Sequence, residues 1–232
     1  MRRMMPLVCL LAAGCEAYTY DTVTLSTDAT DVEILRLDIG NGDLYLHGDP
    51  AATEIVVYAT IQGFGADPCP VKQSLQLSLE PIDGVAWLDA YFSAEHEGGG
   101  WVDLDVTVPA GISVEGSDGT GDAYFELIGG LSLIDGTGDL SVRDVRGDVR
   151  IDDGTGDIWI DGVGGDISIV DGTGDIVVSD AHGDVTIDDG TGDIVLESVG
   201  AVTIWDGSGD IVVRGARDVD VVSDGSGDVI IR

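Results

Sequence analysis

Asp153-Gly154-Thr155-Gly156-Asp157-Ile158-Trp159-Ile160 is the stretch on which the fold turns. Its first five residues, Asp-Gly-Thr/Ser-Gly-Asp, occur seven times, starting at Asp118, Asp135, Asp153, Asp171, Asp189, Asp206 and Asp224, 17 or 18 residues apart. A fixed period of this size marks stacked coils of one small unit rather than a single globular core. Weaker half-copies fall midway: Arg146-Gly147-Asp148, Gly164-Gly165-Asp166 and His182-Gly183-Asp184, with Gly200-Ala201 and Arg217-Asp218 holding the same place further on. Each coil of about 18 residues is therefore two halves of about nine.

After each Gly-Asp comes a short alternating run, such as Ile158-Trp159-Ile160, Ile167-Ser168-Ile169 or Ile176-Val177-Val178. Period two, β-branched residues and bounding glycines read as very short strands. The outer members of each run point inward and the middle one outward. Glycines interrupt any helical spacing of apolar residues after residue 30. The expected fold is all-β: a right-handed parallel β-helix with two strands per coil, or a flattened β-solenoid. Stacking then places the inward pairs in aliphatic columns, with Val145, Val163, Ala181, Val199 and Ala216 as another column at a corner. One outward row is polar: Ser132, Arg150, Ser168, Thr186, Thr203, Asp220. The other, Tyr124, Ser141, Trp159, Val177, Val195, Val212, Ile230, is largely apolar, and contiguous apolar surface marks contacts. Trp159, Val177, Val195, Val212 and Ile230 are thus the candidate partner surface, for a protein or glycan ligand or for a covering segment of the chain itself.

Residues 33–114 are less regular but still read as strands, among them Ile34–Ile39, Glu54–Ala59 and Trp101–Val106. Gly40-Asn41-Gly42-Asp43-Leu44-Tyr45-Leu46 repeats the later motif once, so a first coil starts near residue 35. This region is expected to form wider coils or a β cap over the regular solenoid of residues 115–232.

Residues 1–14 have a basic start, Arg2-Arg3, and an apolar run, Leu7–Ala13, too short to span a bilayer. Leu11-Ala12-Ala13-Gly14-Cys15 resembles a bacterial lipoprotein signal. The resemblance implies cleavage before Cys15, lipidation of Cys15, and a polar tether over residues 15–32. Glu16 in place of Asp implies outer-membrane sorting. More than one acyl chain on Cys15 anchors a protein stably. Once Cys9 leaves with the signal, Cys69 is the one cysteine besides Cys15, so no internal disulfide is expected.

The chain carries 10 basic and 44 acidic residues, a net charge of −34. Nucleic acid and bare anionic lipid surfaces are excluded as partners by this charge. Stacking puts Asp153, Asp171, Asp189, Asp206 and Asp224 in one column and Asp157, Asp175, Asp193, Asp210 and Asp228 in another. Carboxylates about 5 Å apart repel by roughly 1 kcal/mol even in bulk water. A divalent cation relieves such repulsion, so Ca²⁺ is the one cofactor the pattern admits, with these ten aspartates as its ligands. The favoured alternative is that the carboxylates bond the turn amides and brace the corners. The nine-residue step is similar to calcium-binding nonapeptide repeats, but with the Asp shifted by one residue, and such a shift reverses a strand position's side.

Asp105-Val106-Thr107-Val108-Pro109-Ala110-Gly111-Ile112-Ser113-Val114, followed by repeated Gly-Asp-Ile/Val-x-Ile/Val, resembles the bacterial β-strand-repeat family labelled "putative adhesin" over residues 33–232. The resemblance implies a solenoid fold and a surface role; it carries over no site residues. No copy of the repeat is chemically singled out, and His47, His96 and His182 lie far apart, so neither paired carboxylates nor a triad is legible. The Gly-rich turns precede strands and lack a P-loop lysine. The expectation is a lipid-anchored envelope solenoid with a non-catalytic structural, adhesive or binding role. Its rivals are a calcium-binding surface module and a carbohydrate-active β-helix enzyme. An unpaired last coil, Val229–Arg232, points to self-association through that edge.

Overall fold

The computed structural model describes residues 18–64, 74–93 and 99–232. Among them are 21 strands in two sheets and no helical element. From β8 (Ser113–Thr120) onward the chain alternates strictly between the sheets. Sheet B receives β8, β10 (Leu131–Thr137), β12 (Val149–Thr155), β14 (Ile167–Thr173), β16 (Val185–Thr191), β18 (Ala201–Asp206) and β20 (Asp218–Asp224). Sheet A receives β9 (Ala123–Glu126), β11 (Leu140–Val145), β13 (Ile158–Val163), β15 (Ile176–Ala181), β17 (Ile194–Glu197), β19 (Ile211–Arg214) and β21 (Val229–Ile231). Every neighbouring pair in this part is parallel, and equivalent residues stack, as in Ile158↔Ile176↔Ile194↔Ile211. The molecule is the flattened form of β-solenoid, about 18 residues per coil.

Alternation drives this packing. In β12 Val149, Ile151 and Asp153 face inward while Arg150 and Asp152 face out; in β13 Ile158 and Ile160 face in. The two inner faces together bury one continuous aliphatic core, including the corner residues Val145, Val163, Ala181 and Val199. Each coil turns between sheets through a Gly at positive φ: Gly138, Gly156, Gly174, Gly192, Gly209 and Gly227 in succession. At Gly156 (φ 149°) a Cβ would collide with the carbonyl oxygen of Gly138 one coil below. The opposite corner has a second positive-φ position, filled by Leu127, Asp144, Gly162, Asp180, Ser198 and Gly215 in turn.

The N-terminal region is both extra coils and cap. β2 (Ile34–Ile39) and β3 (Leu44–Asp49) form the expected first coil. It lies between β8–β9 on one side and a coil of β6 (Val85–Phe92) and β7 (Gly99–Pro109) on the other. β4 (Glu54–Phe64) then pairs antiparallel with β7, and β5 (Leu75–Ile82) antiparallel with β6, which ends the parallel stacking in both sheets. The tether read over residues 15–32 is corrected in part: Tyr18–Asp28 forms β1, antiparallel to β4 along its whole length. Thr22-Val23-Thr24-Leu25 alternates as a strand does, and it packs Val23 and Leu25 against the core. Cys9, Cys15, Cys69 and His96 lie outside the described residues.

Candidate functional site

Two places gather unusual chemistry: an interior column of aspartates and the outer face of sheet A. The interior column begins at Asp118 and runs in register through Asp135, Asp153, Asp171, Asp189 and Asp206 to Asp224. The first six are buried, 3–5% exposed, and Asp224 in the last coil is exposed. The sequence placed these carboxylates at corners; they are instead the third inward residue of each sheet B strand. Asp118 and Asp135, absent from the candidate ligands above, belong to the same column.

Their partners are few. Asp118 and Asp135 accept from the next amide, Gly119 (2.8 Å) and Gly136 (2.7 Å). Asp171 accepts from Thr173 N–H (3.3 Å) and Asp206 from Ser208 N–H (3.0 Å). The oxygens of Asp153 and Asp189 make no well-formed hydrogen bond, and the turn amides of Gly154, Thr155, Gly190 and Thr191 hold their titration down only weakly. Burial pushes Asp153 and Asp189 up to about 7, with the stacked carboxylates above and below adding to it. Burial likewise pushes Asp118 up to about 7 and Asp135 and Asp171 to about 6, turn amides holding the last two back. The column is thus poised to hold protons near neutrality, because a neutral acid costs less to bury than a carboxylate.

The second aspartate column is different. Asp103, Asp43, Asp122, Asp139, Asp157, Asp175, Asp193 and Asp210 each accept through Oδ1 the backbone N–H of the next aspartate along the stack, ending at Asp228, at 2.8–3.1 Å. These carboxylates brace the corner from the solvent side. Among the described residues no three His, Cys, Asp or Glu side chains converge as a metal site.

Beside this row, on the outer face of sheet A, runs the apolar row. Trp159, Val177, Val195 and Val212 are in register and half-buried by one another, and Ile230 in the last strand is 38% exposed. The row runs the other way through Ser141 and Tyr124, as the sequence pattern has it, and then on through Tyr45, Asp105 and Tyr58, which the pattern did not include. Tyr45 and Tyr124 stack face to face, centroids 4.7 Å apart and 5° between planes. The Arg143 guanidinium lies over Trp159 at 4.1 Å and within 6.0 Å of Tyr124. An open groove of about 660 Å³ crosses this end, lined by Tyr58, Tyr45 and Tyr124 with Asp43, Asp103 and Asp105. His47 sits at its side, bonded to the Thr107 hydroxyl (3.3 Å).

No protein-family model and no curated protein matches the chain. Among solved structures it is similar to a "putative cell adhesion protein" from Clostridium sporogenes, at 12% identity over 92% of this chain and 99% of that one, TM-score 0.36. It is similar to a "putative adhesin" from Parabacteroides merdae, at 11% identity over 91% and 96%, TM-score 0.41. A "putative lipid binding protein" from Parabacteroides distasonis aligns at 11% identity over 91% and 97%, TM-score 0.43. Likenesses this loose carry neither a residue nor a role across.

Proposed function

We propose that the chain is a non-catalytic adhesive or binding module of a bacterial envelope, held to the membrane by lipid on Cys15. One observation supports it above others. The outer face of sheet A presents a single register-locked row, from Tyr58 through Trp159 to Ile230, while the acids repeat evenly from coil to coil. An extended row of repeated side chains suits contact with an extended partner, whereas catalysis needs a local set of groups that breaks the repeat.

The test is retention of envelope proteins and polysaccharides on the immobilised chain. Val177→Thr combined with Val195→Thr, which keeps a β-branched shape on the half-buried outer faces of β15 and β17, is expected to weaken retention with the chain still melting cooperatively. Release of new reducing ends from a retained polysaccharide would overturn the non-catalytic reading. The anchor is tested separately: Cys15→Ser is expected to lose incorporation of labelled fatty acid and to move from the membrane to the soluble fraction.

A further inference from the structure

The aromatic end of the sheet A row contains one filled slot and one open slot of the same build. In the filled one, Tyr124 on β9 and Trp159 on β13 flank Ser141 on β11, which lies between them in the sheet. Their strands are two strand spacings apart, about 10 Å. The guanidinium of Arg143, two residues beyond Ser141 on the same strand, fills the interval, 4.1 Å from one ring and 6.0 Å from the other. Both distances are within the reach of cation–π attraction.

In the open slot, Tyr58 on β4 and Tyr45 on β3 flank Asp105 on β7, again two strand spacings apart. Both tyrosines are exposed, 55% and 44%, and the groove opens onto them. One face of Tyr45 is covered by Tyr124, which leaves the other toward the slot. The position equivalent to Arg143 is Thr107, as the register Arg143↔Glu126↔His47↔Thr107 shows. Threonine is too short to reach between the rings. Where the filled slot has the neutral Ser141 as its floor, this one has a carboxylate, and Asp103 and Asp43 stand on its border.

We propose that the Tyr58–Asp105–Tyr45 slot binds the guanidinium of an arginine in a basic segment of a partner protein. The proposal deepens the binding reading above by naming the partner's chemistry. A planar guanidinium stacks between two rings and can meet the Asp105 carboxylate with paired N–H donors; an ammonium does not stack and meets the carboxylate only as a point charge. The protein's charge of −34 draws basic segments toward it, and the slot adds the discrimination that charge alone lacks.

The test uses three short fluorescent peptides that differ at one central residue, arginine, lysine or citrulline, in an otherwise identical basic background, titrated at 150 mM salt. The arginine peptide is expected to bind about tenfold tighter than the lysine peptide and tighter still than the citrulline peptide. Tyr58→Ala and Asp105→Asn, both exposed substitutions, are expected to erase the difference between arginine and lysine. Thr107→Arg, which supplies an internal guanidinium at the place Arg143 holds, is expected to block the slot with the fold intact by melting. Equal affinities for arginine and lysine peptides, or discrimination that survives Tyr58→Ala, overturns the slot and leaves the retention experiment with Val177 and Val195 standing. Discrimination that persists where envelope retention fails upholds the slot and overturns the adhesive reading instead.

Discussion

Ile39 stands one rung from Asp118 in the same interior column. The register Asp38↔Ser117 and the stacking of Gly119 on Gly40 require it. The slot therefore accepts an aliphatic side chain, 4% exposed, in the first coil and a carboxyl group in the next six. An inward position that isoleucine satisfies is an apolar one, and ionising an aspartate there is costly.

Stability is expected to fall as pH rises. An unfolded Asp titrates near 3.9, whereas Asp118, Asp153 and Asp189 titrate near 7 and Asp135 and Asp171 near 6 in the fold. Between these values the folded state holds more protons than the unfolded state, so the slope of stability with pH is negative. The benefit is complete below about pH 4, is lost across pH 4–7, and changes little above it. One proton over one pH unit is worth about 1.4 kcal/mol, or roughly 3 °C for a chain of this size. Because all five groups lose their protons between pH 5 and pH 8, melting at pH 5 is expected well above melting at pH 8. Asp153→Asn and Asp189→Asn should raise the pH 8 value and flatten the profile. Parallel profiles for wild type and both variants would remove the column as the cause.

Gly156→Ala is expected to cost several kcal/mol. The alanine Cβ would meet the Gly138 carbonyl oxygen at a positive φ that L residues rarely adopt. Urea unfolding gives the number; a loss below about 1 kcal/mol would mean that the coils can separate locally to admit a methyl group.

The opposite corner offers the reverse experiment. Leu127 holds φ 57° where other coils use Asp144, Gly162, Asp180 and Ser198, and it is exposed. A branched aliphatic residue in that conformation is strained by about 1–2 kcal/mol, so Leu127→Asn is expected to stabilise by roughly 0.5–1 kcal/mol. Unchanged or lower stability would show that the leucine side chain contributes packing worth more than the strain.

Much of this was legible in the repeats, and what was not has identifiable reasons. Ile158-Trp159-Ile160 announces its own inside and outside, and a constant period turns that into columns without further information. Asp153 deceived because an aspartate beside glycine is ordinarily a turn residue; counting on from Ile151 by two puts it inside. Residues 18–28 read as tether because they are polar, although the alternation Thr22-Val23-Thr24-Leu25 was present. The Tyr58–Tyr45 slot was not legible at all. Its floor, Asp105, comes from a strand that passes between β3 and β4 only because the chain doubles back around its first coil.

Calcium at millimolar concentration is expected to leave the melting temperature where an equal ionic strength of NaCl puts it. The Oδ1 atoms of Asp157, Asp175, Asp193 and Asp210 are each engaged by the next coil's amide, and no three ligands converge among the described residues. A specific rise would assign the ladder to the cation instead.

The doubling back also gives the molecule a direction of assembly. Contacts between regular coils join residues 17 or 18 apart, as Asp166 N–H and Asp148 do. The first coil meets β8 only across 79 residues, as in the Arg36–Glu115 ion pair. Closing the longer loop costs about 1.3 kcal/mol more in chain entropy. The regular coils can therefore zip up one on another from short closures, while the coil that carries Tyr45 is completed late, when strands from both sides close on it.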